Sequence, residues 1–201
     1  MRRVPLVATL VVLLAVAAMV GLGLWQVGRA KEKEALLARF ERNVGAPRTA
    51  VTPGLDLSGN LLRPVSLDCA RGSATRLAGA GKYGFRVIAE CTNGSLGRAI
   101  AVQLGTTARP TPTPAWPGGR VEGYLGLAPD SRSLLRLLTD HRPAETMIVA
   151  DPPLAGLAAN PGPDLSSIPN NHRSYAVQWF AFAAIALVIY ALALRSRWRR
   201  A

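Results

Sequence analysis

Hydrophobic and polar positions divide this chain into three regimes. Val4 to Val27 is almost wholly apolar, interrupted by Pro5, Thr9, Gln26 and small glycines, and Tyr175 to Leu194 is a second run without a formal charge. About 20 helical residues cross a hydrocarbon core of roughly 30 Å, so each run is long enough to span a membrane. The first could instead be a cleaved signal peptide, with Met1, Arg2 and Arg3 as its basic start and Ala15, Val16 and Ala17 as its cleavage site. It continues well past Ala17, beyond the roughly 7–15 residues of a signal core, which favours an anchor.

After the first run, "GRAKEKEALLARFERN" predicts a helix leaving the membrane. Leu36, Leu37, Phe40 and Val44 form its apolar stripe, expected to pack on the outer domain, and Gly45 and Pro47 stop it. From Leu61 onward the period shortens to that of strands. "LLRPVSLDC", "YGFRVIAEC", "RAIAVQL", "RVEGYLGL" and "ETMIVAD" are the candidates, with Tyr83, Phe85, Val87 and Ala89 on one face of the second. "DSRSLLRLL" predicts one short helix, capped by Asp130 or Ser131. "ARPTPTPAWPGG" reads as an extended proline-rich loop, and "DPPLAGLAANPGPDLSSIP" as a tract leading down to the membrane.

The predicted fold class is therefore membrane α+β. A hairpin of two transmembrane helices encloses a β-rich outer domain, built as an antiparallel sheet or a partly closed barrel. Its segments are a first span at 4–27, a membrane-proximal helix at 28–44, the outer domain at 45–173, a second span at 174–194 and a basic tail at 195–201.

Charge orients this plan. Arg195, Arg197, Arg199 and Arg200 follow the second span, while Arg173 alone lies just before it. The positive-inside bias then puts the C-terminus in the cytoplasm, and two spans put the N-terminus there too. The net charge of +12 suggests nucleic acid at first sight. Half of the excess sits in the two tails, however, and no aromatic-plus-basic motif appears, so nucleic acid is not expected as a partner. With the first span starting at residue 4 there is no room for an organelle transit peptide. The expected location is a bacterial inner membrane with the central domain periplasmic.

Cys69 and Cys91 fall in the outer domain, where an oxidising compartment permits a disulfide. Metal binding by the pair and two free buried thiols are the other readings. There is no G-x-S-x-G, H-E-x-x-H, P-loop or C-x-x-C. Of the two histidines, His141 stands in the polar turn "TDHRP" with no nucleophile in view. An enzyme is not expected.

The chemistry concentrates in "NNHRSYAVQW". If a helix starts by Asn171, His172, Tyr175, Ala176 and Trp179 share one face at i, i+3, i+4 and i+7. One reading is an aromatic belt at the membrane interface, capped by Asn170 or Asn171. The other is a ligand site. A neutral imidazole is a good axial ligand for haem iron, aromatic faces beside a small residue suit a flat macrocycle, and Arg173 or Arg29 suits its propionates. In a two-helix hairpin "GLGLWQVGR" lies at the same depth. Gly21 and Gly23 would let the helices approach, bringing Trp25, Gln26 and Arg29 near His172.

These two ends resemble the signatures of the surfeit-locus assembly factors of cytochrome c oxidase. "GLWQVGRAKEK" is similar to the first through Gly23, Trp25, Gln26, Arg29 and Lys33. "NNHRSYAVQWFAFA" is similar to the second through Asn171, His172, Tyr175, Ala176, Trp179 and Phe180. The outer domain diverges: the family's Arg-Gly-Trp element after a strand is absent from "AIAVQLGTTARP". The resemblance implies a protein that holds or delivers haem a to the oxidase catalytic subunit, with His172 as the axial ligand of the haem iron. Tyr175, Trp179, Trp25, Gln26, Arg29 and Asn171 are the accompanying cofactor-binding candidates. The implied partners are the catalytic subunit and possible haem a synthesis enzymes. The competing reading is a scaffold that docks on oxidase helices without touching haem.

Overall fold

A computed structural model describes residues 4–110, 115–130, 132–166 and 168–200. The chain divides into two compact units. One takes in residues up to Ala38 and from Ser166 onward, and the other is Arg39–Leu165.

The first unit is a pair of helices. Helix α1 runs unbroken through Leu6–Val44, about 58 Å at 1.5 Å per residue, so the expected span and membrane-proximal helix are one rod. It ends where Gly45 N–H bonds back to the Glu41 carbonyl at 3.2 Å, two residues before Pro47. Helix α3 runs through His172–Arg200. Both are long and apolar enough to cross a membrane. Along α1 the covered positions recur as Thr9, Val12, Val16, Met19, Gly23, Gln26 and Ala30, and along α3 as His172, Ala176, Trp179, Ala183, Ala186 and Tyr190. Alternating steps of three and four are the spacing of a coiled-coil seam. Its most buried members are Gly23, Ala30, Ala176 and Ala183, small residues that let two backbones approach closely. Most leucines, valines and isoleucines on the remaining faces are exposed, as suits lipid contact. The apolar stripe beyond the span is only half covered. Leu37 and Phe40 are partly buried, whereas Leu36 and Val44 are exposed.

The second unit is a sheet of seven strands: β1 Thr49–Ala50, β2 Pro64–Cys69, β3 Arg76–Gly79, β4 Phe85–Asn93, β5 Arg98–Thr107, β6 Gly119–Leu127 and β7 Thr146–Ala150. Their order is β1-β2-β6-β7-β5-β4-β3. All five expected strands are present, and the sheet is open, with its edges at β1 and β3. It is mixed, where an antiparallel sheet or a partly closed barrel was expected. β5 and β6 run in opposite directions and β7 is inserted between them. A strand in that slot must be parallel to one neighbour, and β7 is parallel to β5 and antiparallel to β6. The short β1 adds a second parallel pair with β2.

The sheet curls strongly. Three strands separate β2 from β4 in its order, yet Cys69 on β2 and Cys91 on β4 form a disulfide, with Cα atoms 5.6 Å apart. Just beyond Cys69, Arg71 and Thr92 exchange backbone hydrogen bonds of 3.2 and 2.9 Å. The concave face holds the main core. Val65, Leu67, Val87, Val102, Leu104, Val121, Leu125 and Ile148 pack there with Leu57 and Trp116. Tyr83, expected on the β4 face, lies in a preceding single helical turn and is exposed.

The convex face carries a smaller apolar cluster of Ile88, Ala101, Met147 and Val149. The tract expected to lead down to the membrane begins by strapping onto the sheet. Leu154 N–H bonds the Leu104 carbonyl at 2.8 Å, and Thr106 and Ala158 exchange two bonds. Asn160 donates to the Ala150 carbonyl at 2.8 Å and accepts from Gln103 at 2.7 Å, which satisfies a buried amide. The Tyr124 hydroxyl donates to the Pro161 carbonyl.

Helix α2, Leu134–Thr139, is capped by Ser133, whose hydroxyl accepts from Arg136 N–H at 3.4 Å. Of the two caps expected, Asp130 is engaged with Arg132 and Ser131 lies outside the described residues. The same is true of residues 111–114 in the proline-rich loop and of Arg2 and Arg3.

Candidate functional site

Asn171 and His172 open α3. The backbone carbonyl of Asn171 accepts from Tyr175 N–H at 3.1 Å, so His172 is the first helical residue and stands on the seam face with Ala176 and Trp179. Its ring turns toward α1. His172 Nδ1 lies 2.7 Å from Gln26 Oε1, joining residues on two helices at one level. A carbonyl oxygen only accepts, so the bond requires a proton on Nδ1, and in the neutral ring the lone pair is then on Nε2.

One residue further on, Arg173 makes a two-pronged ion pair with Glu34 of α1. Its Nε donates to Oε1 at 2.7 Å and its Nη2 to Oε2 at 3.0 Å. Such paired parallel bonds fix orientation as well as charge. Below them Phe180 lies against Gly23, where an added Cβ would stand 2.6 Å from the ring. Nearer the other end Thr9 and Tyr190 share a hydrogen bond. Trp179 packs edge-on against Phe182, with centroids 6.2 Å apart and planes at 88°. Two residues before the imidazole, the buried Asn170 Oδ1 has no hydrogen-bond partner.

The expected site residues therefore separate. His172, Gln26 and Trp179 lie on the seam, and Asn171 supplies the helix start. Trp25 and Tyr175 are exposed and off the seam, at 57% and 49%. Arg29 pairs with Glu32 on its own helix, and Arg173 with Glu34 across the seam. Of the two glycines, Gly23 allows the close approach; Gly21 has open space around it. Glu34 went unnoticed in the sequence because it sits in the alternating charges of "AKEKEA", where nothing marks one acid as crossing to the other helix.

Among the described residues no group of three or more His, Cys, Asp or Glu side chains is arranged to hold a metal ion. A cavity of about 490 Å³ in the sheet unit, lined by residues that include Asp56, Glu90, Arg98 and Glu145, contains none of the expected site residues.

No curated protein matches the chain. The model of the SURF1 family matches residues 13–184, which takes in the first span from Leu13, the whole sheet unit and α3 as far as Ala184, with both polar helix ends inside it. The chain thus belongs to the SURF1 family, a family of cytochrome oxidase assembly factors and not a known class of enzymes.

Proposed function

We propose that this protein acts in the assembly of the haem–copper oxidase by holding haem a for the catalytic subunit, with His172 as the protein ligand to the iron. The observation that carries the reading is the imidazole's position: it starts α3, faces α1 and has Nδ1 occupied by Gln26. The residues fit the group. Imidazole nitrogen is an accepted axial ligand for haem iron, and a ligating histidine commonly has its other ring nitrogen bonded. The unpartnered Asn170 Oδ1 beside it is a further polar atom able to meet a ligand donor.

The seam below His172 is closed by Gly23, Ala176 and the Phe180 ring. The cofactor is accordingly held at the mouth of the hairpin and not in a groove between the helices. Trp179 offers an aromatic edge at the seam, while Trp25 and Tyr175 are outer contacts. Bound haem supplies a vacant coordination position on iron. The protein supplies one nitrogen to fill it, which suits a cofactor that must later be surrendered. In this account the sheet unit faces the periplasm of a bacterial cell, both termini lie in the cytoplasm, and haem a synthesis enzymes are upstream partners.

The test is co-expression with the haem a synthesis enzymes, followed by purification and absorption spectroscopy. The expected result is a haem a spectrum that His172→Ala abolishes. A haem-free protein that still captures the oxidase catalytic subunit would replace this reading with a docking scaffold.

A further inference from the structure

We infer that Gln26 is a positioning residue: its side-chain carbonyl fixes the tautomer of His172 and keeps Nε2 as the unprotonated nitrogen, before any ligand arrives. The inference rests on the reading of His172 as a ligand only for its purpose, not for its chemistry.

The neutral imidazole has two tautomers, one with each nitrogen protonated, and a partner bound to one nitrogen chooses between them. Here Gln26 Oε1 stands 2.7 Å from Nδ1. With the proton on Nδ1 this is a hydrogen bond. With the proton on Nε2, two lone pairs would face each other across the same distance. The Gln26 NH2 group could serve Nδ1 only after a half-turn of the amide, and in the structure it is the carbonyl oxygen that faces the ring. The ring is held equally firmly. His172 begins α3, and the adjacent Arg173–Glu34 pair, with bonds of 2.7 and 3.0 Å, ties that first turn to α1. Two helices thus deliver an acceptor and an imidazole to a fixed separation. The bond is part-buried, and a hydrogen bond shielded from water selects one protonation pattern more strongly than the same bond in bulk water.

The consequence is specific. Substituting Gln26 changes which nitrogen carries the proton, and through it the availability of Nε2, without removing any group that touches the cofactor. Gln26 therefore differs in kind from Trp25 and Arg29, its neighbours in the same stretch.

The experiment uses the full chain, without haem, in lipid nanodiscs, labelled with ¹⁵N-histidine. Spectra are recorded near pH 9, well above the ordinary histidine range. His141, the other histidine, is assigned through a His141→Asn variant. The expected result is a His172 ring protonated mainly on Nδ1 in the wild type. In Gln26→Leu the tautomer ratio moves toward Nε2 protonation by about fivefold, the worth of one ordinary hydrogen bond. Gln26→Glu, which keeps an acceptor at the same reach, restores Nδ1 protonation. A wild-type ring protonated mainly on Nε2, or a ratio indifferent to Gln26→Leu while Gln26→Glu folds normally, overturns the inference. Neither outcome depends on haem. Loss of haem binding with the tautomer shift intact would sink the haem reading alone, and haem bound through His172 with no tautomer shift would sink the role of Gln26 alone.

Discussion

Gly23 shows how little room a single residue leaves in the helix pair. A methyl group there would meet the Phe180 ring at 2.6 Å. Gly23→Val is expected to destabilise the hairpin by about 1–3 kcal/mol, the usual range for overpacking a close contact. Thermal unfolding in detergent would measure it, and Phe180→Ala in the same chain should recover part of the loss. Tyr124 offers a second test at this scale. Burial, and then the nearby Asp151 charge, push its hydroxyl up to about 12. The folded value lies above the unfolded one near 10, so the neutral tyrosine stabilises the fold at lower pH, and that contribution is lost as pH rises through the folded value. An ultraviolet titration should show one tyrosine ionising near pH 12, and Tyr124→Phe should remove that step and flatten the loss of stability between about pH 10 and 12.

At the scale of elements, α2 is tied at both of its ends by one arginine. Arg132 donates to the Asp130 carboxylate at 2.7 Å and to the carbonyls of Asp140 and Arg142 at 3.0 and 3.1 Å, stapling both ends of a six-residue helix. Its Leu135 and Leu138 are 78% and 74% exposed. Arg132→Gln should therefore speed hydrogen exchange at residues 134–139 while β5 and β7 exchange as before. Acid should do the same. Hydrogen bonds from Arg142, side chain first, hold the Asp140 carboxyl well below the usual aspartate range. Its folded value is depressed, so its contribution is present above the unfolded aspartate value and lost as pH falls through the folded one. Elements of this size also mark the limit of what the sequence shows. β2, β4, β5, β6 and β7 are visible as alternating or apolar runs, and both long helices as uncharged ones. β3, "RLAG", and the two-residue β1 carry too few apolar side chains to stand out, and neither alternation nor turn chemistry encodes that β7 slots between β5 and β6. In the helices the level at which Gln26 meets His172 was legible. The rotation follows from the steps that run from Thr9 through Gly23 and Gln26 to Ala30, which turn Trp25 and Arg29 away from the seam.

For the whole molecule, the disulfide is the covalent tie of the sheet unit. Cys69 and Cys91 are 22 residues apart in sequence and join strands that are not neighbours. Closing a loop of that length is worth about 3 kcal/mol through the unfolded chain. Replacing both cysteines with alanine should lower the denaturant midpoint of the sheet unit by a corresponding amount while leaving the helix pair's exchange protection unchanged. Gln26 and His172 are 146 positions apart. Translation at about 5–20 residues per second places roughly 7–30 s between their syntheses. Throughout that interval the emerging α1 presents its heptad face without the mate that will cover it, and the intervening strands have time to settle first. The partner of Gln26 thus arrives only with α3, and a chain halted before residue 172 would carry all seven strands and a Gln26 with no ring to meet.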